Sequence, residues 1–193
     1  MTESNPRRTL PRWHPDPLAR SAIERIRSCG LAVTAHDGLC AEHAHDHDDA
    51  CPYAYTSGRS LHTEPELVVY GLGAEAAVDV LCDTIDEFEF HDWQQLVSDG
   101  TEYAVESIDV PLRLVEVVDT TDLHATNLLF PNATVLQVVW PDDHGVYPWE
   151  HGYSLEPRAQ YLKGVEGFAR DVGPRVISRS TGPNRAQRRK RKR

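Results

Sequence analysis

Short apolar runs and helical repeats alternate along the middle of the chain. Between Asp16 and Cys29, apolar residues recur every three to four positions, which predicts an amphipathic helix that ends at Gly30. Three apolar runs bounded by glycine or proline then predict strands at residues 31–36, 52–58 and 65–72. The third run is apolar without interruption, as in a strand that is buried on both faces.

A second helical repeat follows, with acidic residues on its outer face. It predicts one long helix from Ala74 to Gly100. Strands are then expected around Val105 and Leu114, a short helix over residues 121–129, a strand over 133–140, and a final helical turn or two over 161–168.

Helices and strands alternate irregularly, and two of the predicted strands follow each other directly near residues 103–119. This order favours an α+β fold over a doubly wound one. We expect a single domain over residues 15–172, with a mixed or antiparallel sheet packed by two to three helices. Residues 1–14 and 173–193 lack apolar periodicity and are predicted to be disordered termini.

Composition places the chain in a broad class. It is 40% hydrophobic, which suffices for a core, and no run approaches the roughly 18 apolar residues of a membrane span. The first residues lack the apolar core of a secretory signal, so a cytoplasmic location without membrane contact is expected. Four cysteines in such a chain favour reduced thiols over a disulfide framework.

The net charge of −10 is unevenly distributed. Acidic residues dominate residues 31–157, whereas the last ten residues, NRAQRRKRKR, contain seven arginines or lysines and no acid. The central domain should repel nucleic acids, while residues 185–193 should attract DNA, RNA or another polyanion without selectivity. The tail could also remain a solvated arm or fold back onto the acidic domain.

The first candidate site lies in AYTSGRSLHTEPELVVYGL. Here a strand presents Tyr55 and Thr56, Gly58 relaxes the backbone, and Glu66 begins a buried strand. Two strand ends side by side could bring these groups, with His62 and Glu64 of the connecting loop, into one pocket. The alternative is a hairpin in which the glycine makes the turn and the tyrosine packs.

The second candidate site is QVVWPDDHGVYPWEHGY. Its strand ends at Trp140, because Pro141 cannot donate to a sheet, and the next residues are typical of a turn. Aspartates beside His144 and His151 could bind a divalent cation or act as acid and base. Alternatively, the tryptophans cap the edge of the core and the aspartates only shape the turn. The candidate ligand-binding residues of this segment are Gln137, Trp140, Asp142, Gly145 and Trp149.

Together the two segments resemble a bacterial domain-of-unknown-function family, number 4262. Its pattern pairs an Ala-Tyr-Thr-x-Gly strand and a Pro-Glu-Leu strand with a late Gln-Val-x-Trp-Pro-Asp-x-x-Gly-x-x-Pro-Trp loop. The resemblance extends over about residues 23–162 and implies the position of a site without implying an activity. The positions that it carries over are Tyr55, Thr56, Gly58, Pro65, Glu66, Gln137, Trp140, Asp142, Gly145, Pro148 and Trp149.

One segment departs from that family pattern. Members usually pass directly from the first strand to the Tyr-Thr strand, whereas this chain inserts a histidine-rich segment over residues 37–51. Imidazole and thiolate are good ligands for a divalent metal such as zinc, although the spacing matches no standard zinc module. A solvated low-complexity loop is the alternative. The candidate metal ligands are Cys40, His43, His45, His47 and Cys51.

The sequence therefore favours a small binding or interaction module with an aromatic and acidic groove, whose ligand is an unknown protein or small molecule. An alternative is a metal-dependent hydrolase that uses Asp142 or Glu66 as base and His144 near a metal. A third is a metal-binding protein that acts through the insertion. No phosphate-binding loop, nucleophile elbow or HExxH motif is present in the sequence to name a reaction.

Overall fold

Five strands form one mixed sheet in the order β1-β2-β3-β5-β4. The structure, a computed structural model, describes residues 9–37, 51–156 and 159–164. The parallel pair is β3 with β5, and the other neighbours are antiparallel. The strands are β1 Ala32–His36, β2 Tyr53–Ser57, β3 Glu66–Tyr70, β4 Arg113–Glu116 and β5 Val135–Val139. The helices are α1 Pro17–Cys29, α2 Ala74–Glu87, α3 Trp93–Asp99 and α4 His124–Leu129, with a 3₁₀ turn at Arg59–His62.

The predicted α+β class with a mixed sheet is confirmed, and the described residues contain four α-helices where two to three were expected. Helix α1 matches its prediction closely because strong end signals flank it. The carboxylate of Asp16 accepts a hydrogen bond from the Ala19 amide at 2.9 Å, and Gly30 adopts a left-handed conformation at the other end.

The prediction of one long helix over residues 74–100 was wrong in its middle. Helix α2 ends at Glu87, and α3 begins only at Trp93. The carboxylate of Asp92 accepts a hydrogen bond from the Gln94 amide at 2.9 Å and therefore caps a new helix. The Asp92 cap therefore starts a separate helix, although the apolar repeat continues through this region.

Two other predicted elements also differ from the structure. Val105 lies in no strand; the nearest pairing is an isolated bridge between Tyr103 and Leu112. The carboxylate of Asp83 accepts hydrogen bonds from the amides of residues 106 and 107, which ties this segment to α2. Residues 161–164 are not helical, and the rest of the expected turn lies outside the described residues.

The two faces of the sheet are covered differently. We call the face that carries Tyr55, Val68, Gln137 and Val115 the front face, because their register aligns them in one row across four strands. Helices α2 and α3 cover the opposite face over a continuous apolar cluster. On the front face, α1 and α4 cover the end near β1. The loop after β5 covers the other end, over Val115 and Val139.

Some sequence predictions fall outside the described part of the chain. Residues 1–8 and 165–193 contain most of the predicted disordered arms, including the basic tail, and residues 38–50 contain most of the insertion. Leu10 packs against the cluster under α1, and the Arg27 side chain donates to the carbonyl of Pro11 at 2.9 Å. None of the helices in the described residues has the length and apolar character of a membrane span.

Candidate functional site

Glu66 is the buried centre of the first candidate segment. Its side chain is fully buried, and its carboxylate accepts hydrogen bonds from the amides of Gly58 and Ser60, each at 2.9 Å. It also accepts from the hydroxyl of Thr56 at 2.7 Å. These three donors occupy both carboxylate oxygens, so Glu66 fixes the start of the 3₁₀ turn from within the protein.

The hydroxyls of Thr56 and Tyr55 also accept hydrogen bonds from main-chain amides. The Thr56 hydroxyl accepts from the amide of Leu67 at 2.8 Å, which replaces a backbone ladder bond at the end of β2. The Tyr55 hydroxyl accepts from the amide of Ala125, at the start of α4. Both side chains are fully buried. Gly58 has a φ of 123°, a backbone conformation that L side chains rarely adopt.

Asp142 organises the loop that follows β5. Its side chain is 2% exposed, and its carboxylate accepts four hydrogen bonds, two from Ser154 and one each from the amides of His144 and Val146. The Ser154 hydroxyl, at 2.6 Å, and these amides hold the pKa of Asp142 well below its usual range. Asp142 therefore ties both ends of the loop together as an ionised cap.

The aromatic residues of this loop have separate roles. The Trp140 indole donates to the carbonyl of Tyr70 at 2.9 Å, which fixes the ring beside Gly71. Tyr147 is fully buried, and the half-buried Trp149 stacks on it with a centroid distance of 5.1 Å and an interplanar angle of 8°. The guanidinium of Arg113 lies 4.4 Å from the Tyr147 ring centroid.

Gln137 lies at the centre of the front face and is fully buried. Its side-chain amide donates to the carbonyl of Tyr161 at 2.6 Å and accepts from the amide of Lys163 at 2.9 Å. We call residues 159–164 the strap, because this segment crosses the front face over Gln137. One glutamine side chain thus holds the main chain of two strap residues.

The strap has further contacts at both of its ends. Gln160 is 2% exposed, and its amide accepts from the main-chain N–H of Trp140 at 3.1 Å and donates to the main-chain carbonyl of Trp140 at 2.8 Å. The ammonium of Lys163 lies 3.1 Å from Asp119 and 3.0 Å from Asp122. Gly164 forms a bridge with Val117, beyond the end of β4.

The contacts among Asp119, Asp122 and Lys163 shift the pKa values of Asp119 and Lys163. Hydrogen bonds from the hydroxyl and amide of Thr121, with a further one from Lys163, lower the pKa of Asp119 to about 2. Burial alone would lower the pKa of Lys163, but its hydrogen bonds to Asp122 and Asp119 outweigh burial and raise it. Both charged forms are therefore favoured when the strap is seated.

The two candidate segments are neighbours, since Val68 pairs with Gln137 and the Trp140 indole donates to Tyr70, but Tyr55 and the Trp149 stack do not meet on the front face. Tyr55 on β2 and the Trp149 stack above β4 are separated by three strand spacings of about 4.8 Å, or roughly 14 Å. The strap crosses between them at Gln137. Among the candidate residues, Trp140 and Trp149 are partly exposed, and Gly145 is exposed. The buried candidates are Tyr55, Thr56, Gly58, Glu66, Gln137 and Asp142.

Sequence reasoning singled out Gln137 but missed the strap that it binds and the residues that hold the strap in place. Gln160, Lys163, Asp119 and Asp122 belong to no motif, so no local signal could have identified them. Their role depends on contacts between residues that are distant in the chain.

The histidine-rich insertion is described only at its ends. Cys51 is buried, its thiol lies 3.8 Å from the carbonyl of Ala159, and burial raises the pKa of the thiol. Cys40, His43, His45 and His47 lie outside the described residues. Within the described ranges, no group of three or more metal-binding side chains is assembled, and His144 and His151 are exposed.

Comparison with known proteins gives a family and no activity. No curated protein and no solved structure matches the chain significantly. The model of one family matches residues 25–154, which include β2, β3, β5 and the loop after β5 but not the strap. The chain therefore belongs to the family described as Domain of unknown function (DUF4262).

Proposed function

We propose that this domain is a binding module that holds an extended polypeptide segment against the front face of its sheet. The binding surface, which we call the front groove, has Gln137 and Val115 as its floor, with Trp140 at one end and Asp119 and Asp122 at the other. The strap occupies it as a built-in ligand. The observation that carries the proposal is the two-point bond between the Gln137 amide and the strap main chain.

The identity of residue 137 favours recognition over simple packing. A buried position on a sheet is normally apolar, as Val68 on β3 and Val115 on the edge strand β4 are in the same row. Burying an amide without partners costs free energy, so Gln137 is stable there only while an extended chain meets both of its polar atoms. Hydrogen bonds to main-chain groups can bind an extended peptide independently of most of its side chains.

The character of the strap contacts also favours a releasable ligand. Tyr161 and Leu162, the large apolar residues of the strap, are 38% and 36% exposed, while its buried side chain is the polar Gln160. If the strap left the groove, water could hydrate the Gln137 amide, and no broad apolar core would be uncovered. The exchange is therefore far less costly than removing α1 or α4, whose apolar faces build the core.

The alternative functions rest on residues outside this groove. Glu66 and Asp142, the proposed catalytic bases, have all their carboxylate oxygens bonded to groups of the chain itself. Metal binding by the insertion remains a prediction, as does the cytoplasmic location. A peptide-binding role remains the function best supported by the described geometry.

The test uses full-length protein with a weakened strap. Gln160→Ala combined with Lys163→Ala removes the side-chain bonds of these two strap residues and leaves the groove intact. Gly164→Val displaces the strap independently by steric overlap. We expect both variants to bind a labelled peptide of residues 156–167 in fluorescence anisotropy. The wild-type chain should bind little, because its tethered strap acts at an effective concentration on the order of millimolar.

Two controls define the outcome. Leu162→Ala alters an exposed strap residue and should behave like wild type. Adding Gln137→Ala to either opened variant should abolish peptide binding. The proposal fails if both opened variants are folded by circular dichroism yet bind no peptide, or if binding survives Gln137→Ala.

A further inference from the structure

We infer that the front groove selects its ligand by sequence and accepts polypeptides that contain glutamine, any two residues, lysine and then glycine. This inference rests on the proposed function, and it names the class of partner. The strap, with Gln160, Lys163 and Gly164, is the copy of this pattern within the chain. A partner protein with the same pattern in an extended segment would compete with it.

The main-chain N–H and carbonyl of Trp140 recognise the glutamine of the pattern. Gln160 is 2% exposed and both donates to and accepts from the backbone of Trp140. A glutamate has the same length but lacks a donor for the Trp140 carbonyl, so that carbonyl would face a carboxylate. Because Trp140 is itself fixed through its indole bond to Tyr70, the backbone cannot easily turn to suit another side chain.

The lysine position is read by two carboxylates. Asp119 and Asp122 both lie within 3.1 Å of the Lys163 ammonium. Asp119 is oriented beforehand by the hydroxyl of Thr121, at 2.6 Å, and by the Thr121 amide, at 3.1 Å. The side chains of Asp119 and Asp122 are 47% and 33% exposed, so solvent screens the pair and its contribution to affinity is modest.

The glycine position is set by space. A Cβ atom on Gly164 would overlap the carbonyl oxygen of Glu116, and it would lie 3.1 Å from the Cγ2 atom of Val115. The first of these atoms is main chain in β4, so a larger residue requires the strand to move. Gly71 allows the other end of the strap to approach equally closely, because a Cβ there would overlap the carbonyl of Ala159. The protein and its ligand thus each contribute a glycine.

The two positions between the glutamine and the lysine carry the most exposed side chains of the strap. Tyr161 and Leu162 are exposed, and the protein holds the main chain of this stretch through Gln137. Substitutions at these positions in a ligand should therefore be tolerated. The pattern is set by the first, fourth and fifth positions.

The experiment compares variant peptides of residues 156–167 on the opened full-length chain, Gly164→Val, by fluorescence anisotropy. In the peptide, we expect Gln160→Glu and Gly164→Ala to weaken binding by roughly tenfold or more. Lys163→Ala should weaken it by about two- to fivefold. Leu162→Ala should leave the affinity unchanged and serves as the matched control.

The outcomes separate this inference from the proposed function. Equal affinity of all four variants and the unmodified peptide would overturn the sequence preference while the groove would still be a peptide site. Failure of every peptide to bind would overturn both. Loss of binding with Leu162→Ala, as large as that with Gln160→Glu, would also contradict the pattern, since the exposed side chain would then be the one that is read.

Discussion

Glu66 provides a sharp test of whether the first candidate segment builds the protein or contacts a ligand directly. Replacement by alanine removes the carboxylate that accepts from the amides of Gly58 and Ser60 and from the hydroxyl of Thr56. All three donors lie in buried residues. Glu66→Ala should therefore destabilise the domain without any direct effect on an exposed surface.

The magnitude follows from the three lost bonds. Leaving a buried donor without a partner costs about 1–3 kcal/mol. Three such donors together would cost more stability than most single substitutions do. Two effects reduce this loss: water can enter the vacated space, and the substitution removes the cost of burying a charge. We therefore expect Glu66→Ala to lower the free energy of unfolding by about 3–5 kcal/mol.

Glu66→Gln is the matched control. Its carbonyl oxygen can still accept from Gly58 and Ser60, so only the bond from Thr56 is changed, and the loss should be about 1–2 kcal/mol. Urea unfolding followed by circular dichroism measures both variants. If Glu66→Ala unfolds at the wild-type urea concentration, then Glu66 is not a structural anchor, and its proposed role as a catalytic base regains support.

Three further predictions concern the loop after β5 and the insertion. Hydrogen bonds depress the pKa of Asp142, so its contribution to the stability of the fold should be complete above about pH 4 and fall as the pH drops further. The urea midpoint of Asp142→Asn should therefore depend less on pH between 5 and 3 than the midpoint of the wild-type protein. In the same assay, replacing the half-buried Trp149 by alanine should lower the free energy of unfolding by about 1–3 kcal/mol, and replacing the fully buried Tyr147 should lower it by about 3–5 kcal/mol. Zinc should bind the insertion loosely, and isothermal titration of a variant with its three histidines changed to alanine should show that binding lost; a stoichiometric site that survives would place the metal elsewhere.

The strands could be predicted because their signals are local. β3 and β5 are short apolar runs bounded by proline or glycine, and both are buried throughout. The long helix was overpredicted because its apolar repeat resumes after a break. There the carbonyl of Glu87 accepts from the amides of both Phe90 and His91, and the Asp92 cap restarts the helix. Periodicity alone does not report such a break.

The function of single polar residues was harder to predict than the elements. The sequence left open whether Asp142 binds a ligand or shapes a turn, and its four hydrogen bonds within the loop favour the turn. Gln137 was singled out by its motif, but its partners lie 24 and 26 residues further along the chain. The strap was predicted as the start of a helical turn, because its actual position depends on hydrogen bonds to distant residues that no local pattern reports.

The side-chain amide of Gln137 reports occupancy of the front groove most directly. Nuclear magnetic resonance can follow the hydrogen exchange of its Nε2 protons, with Gln137→Ala to assign the signal. In the wild-type chain, the 2.6 Å bond to Tyr161 should slow this exchange. The opened variant Gly164→Val should exchange rapidly, and the peptide of residues 156–167 should restore protection. Protection that persists in the opened variant without peptide, or that the peptide never restores, would contradict recognition of an extended segment by Gln137.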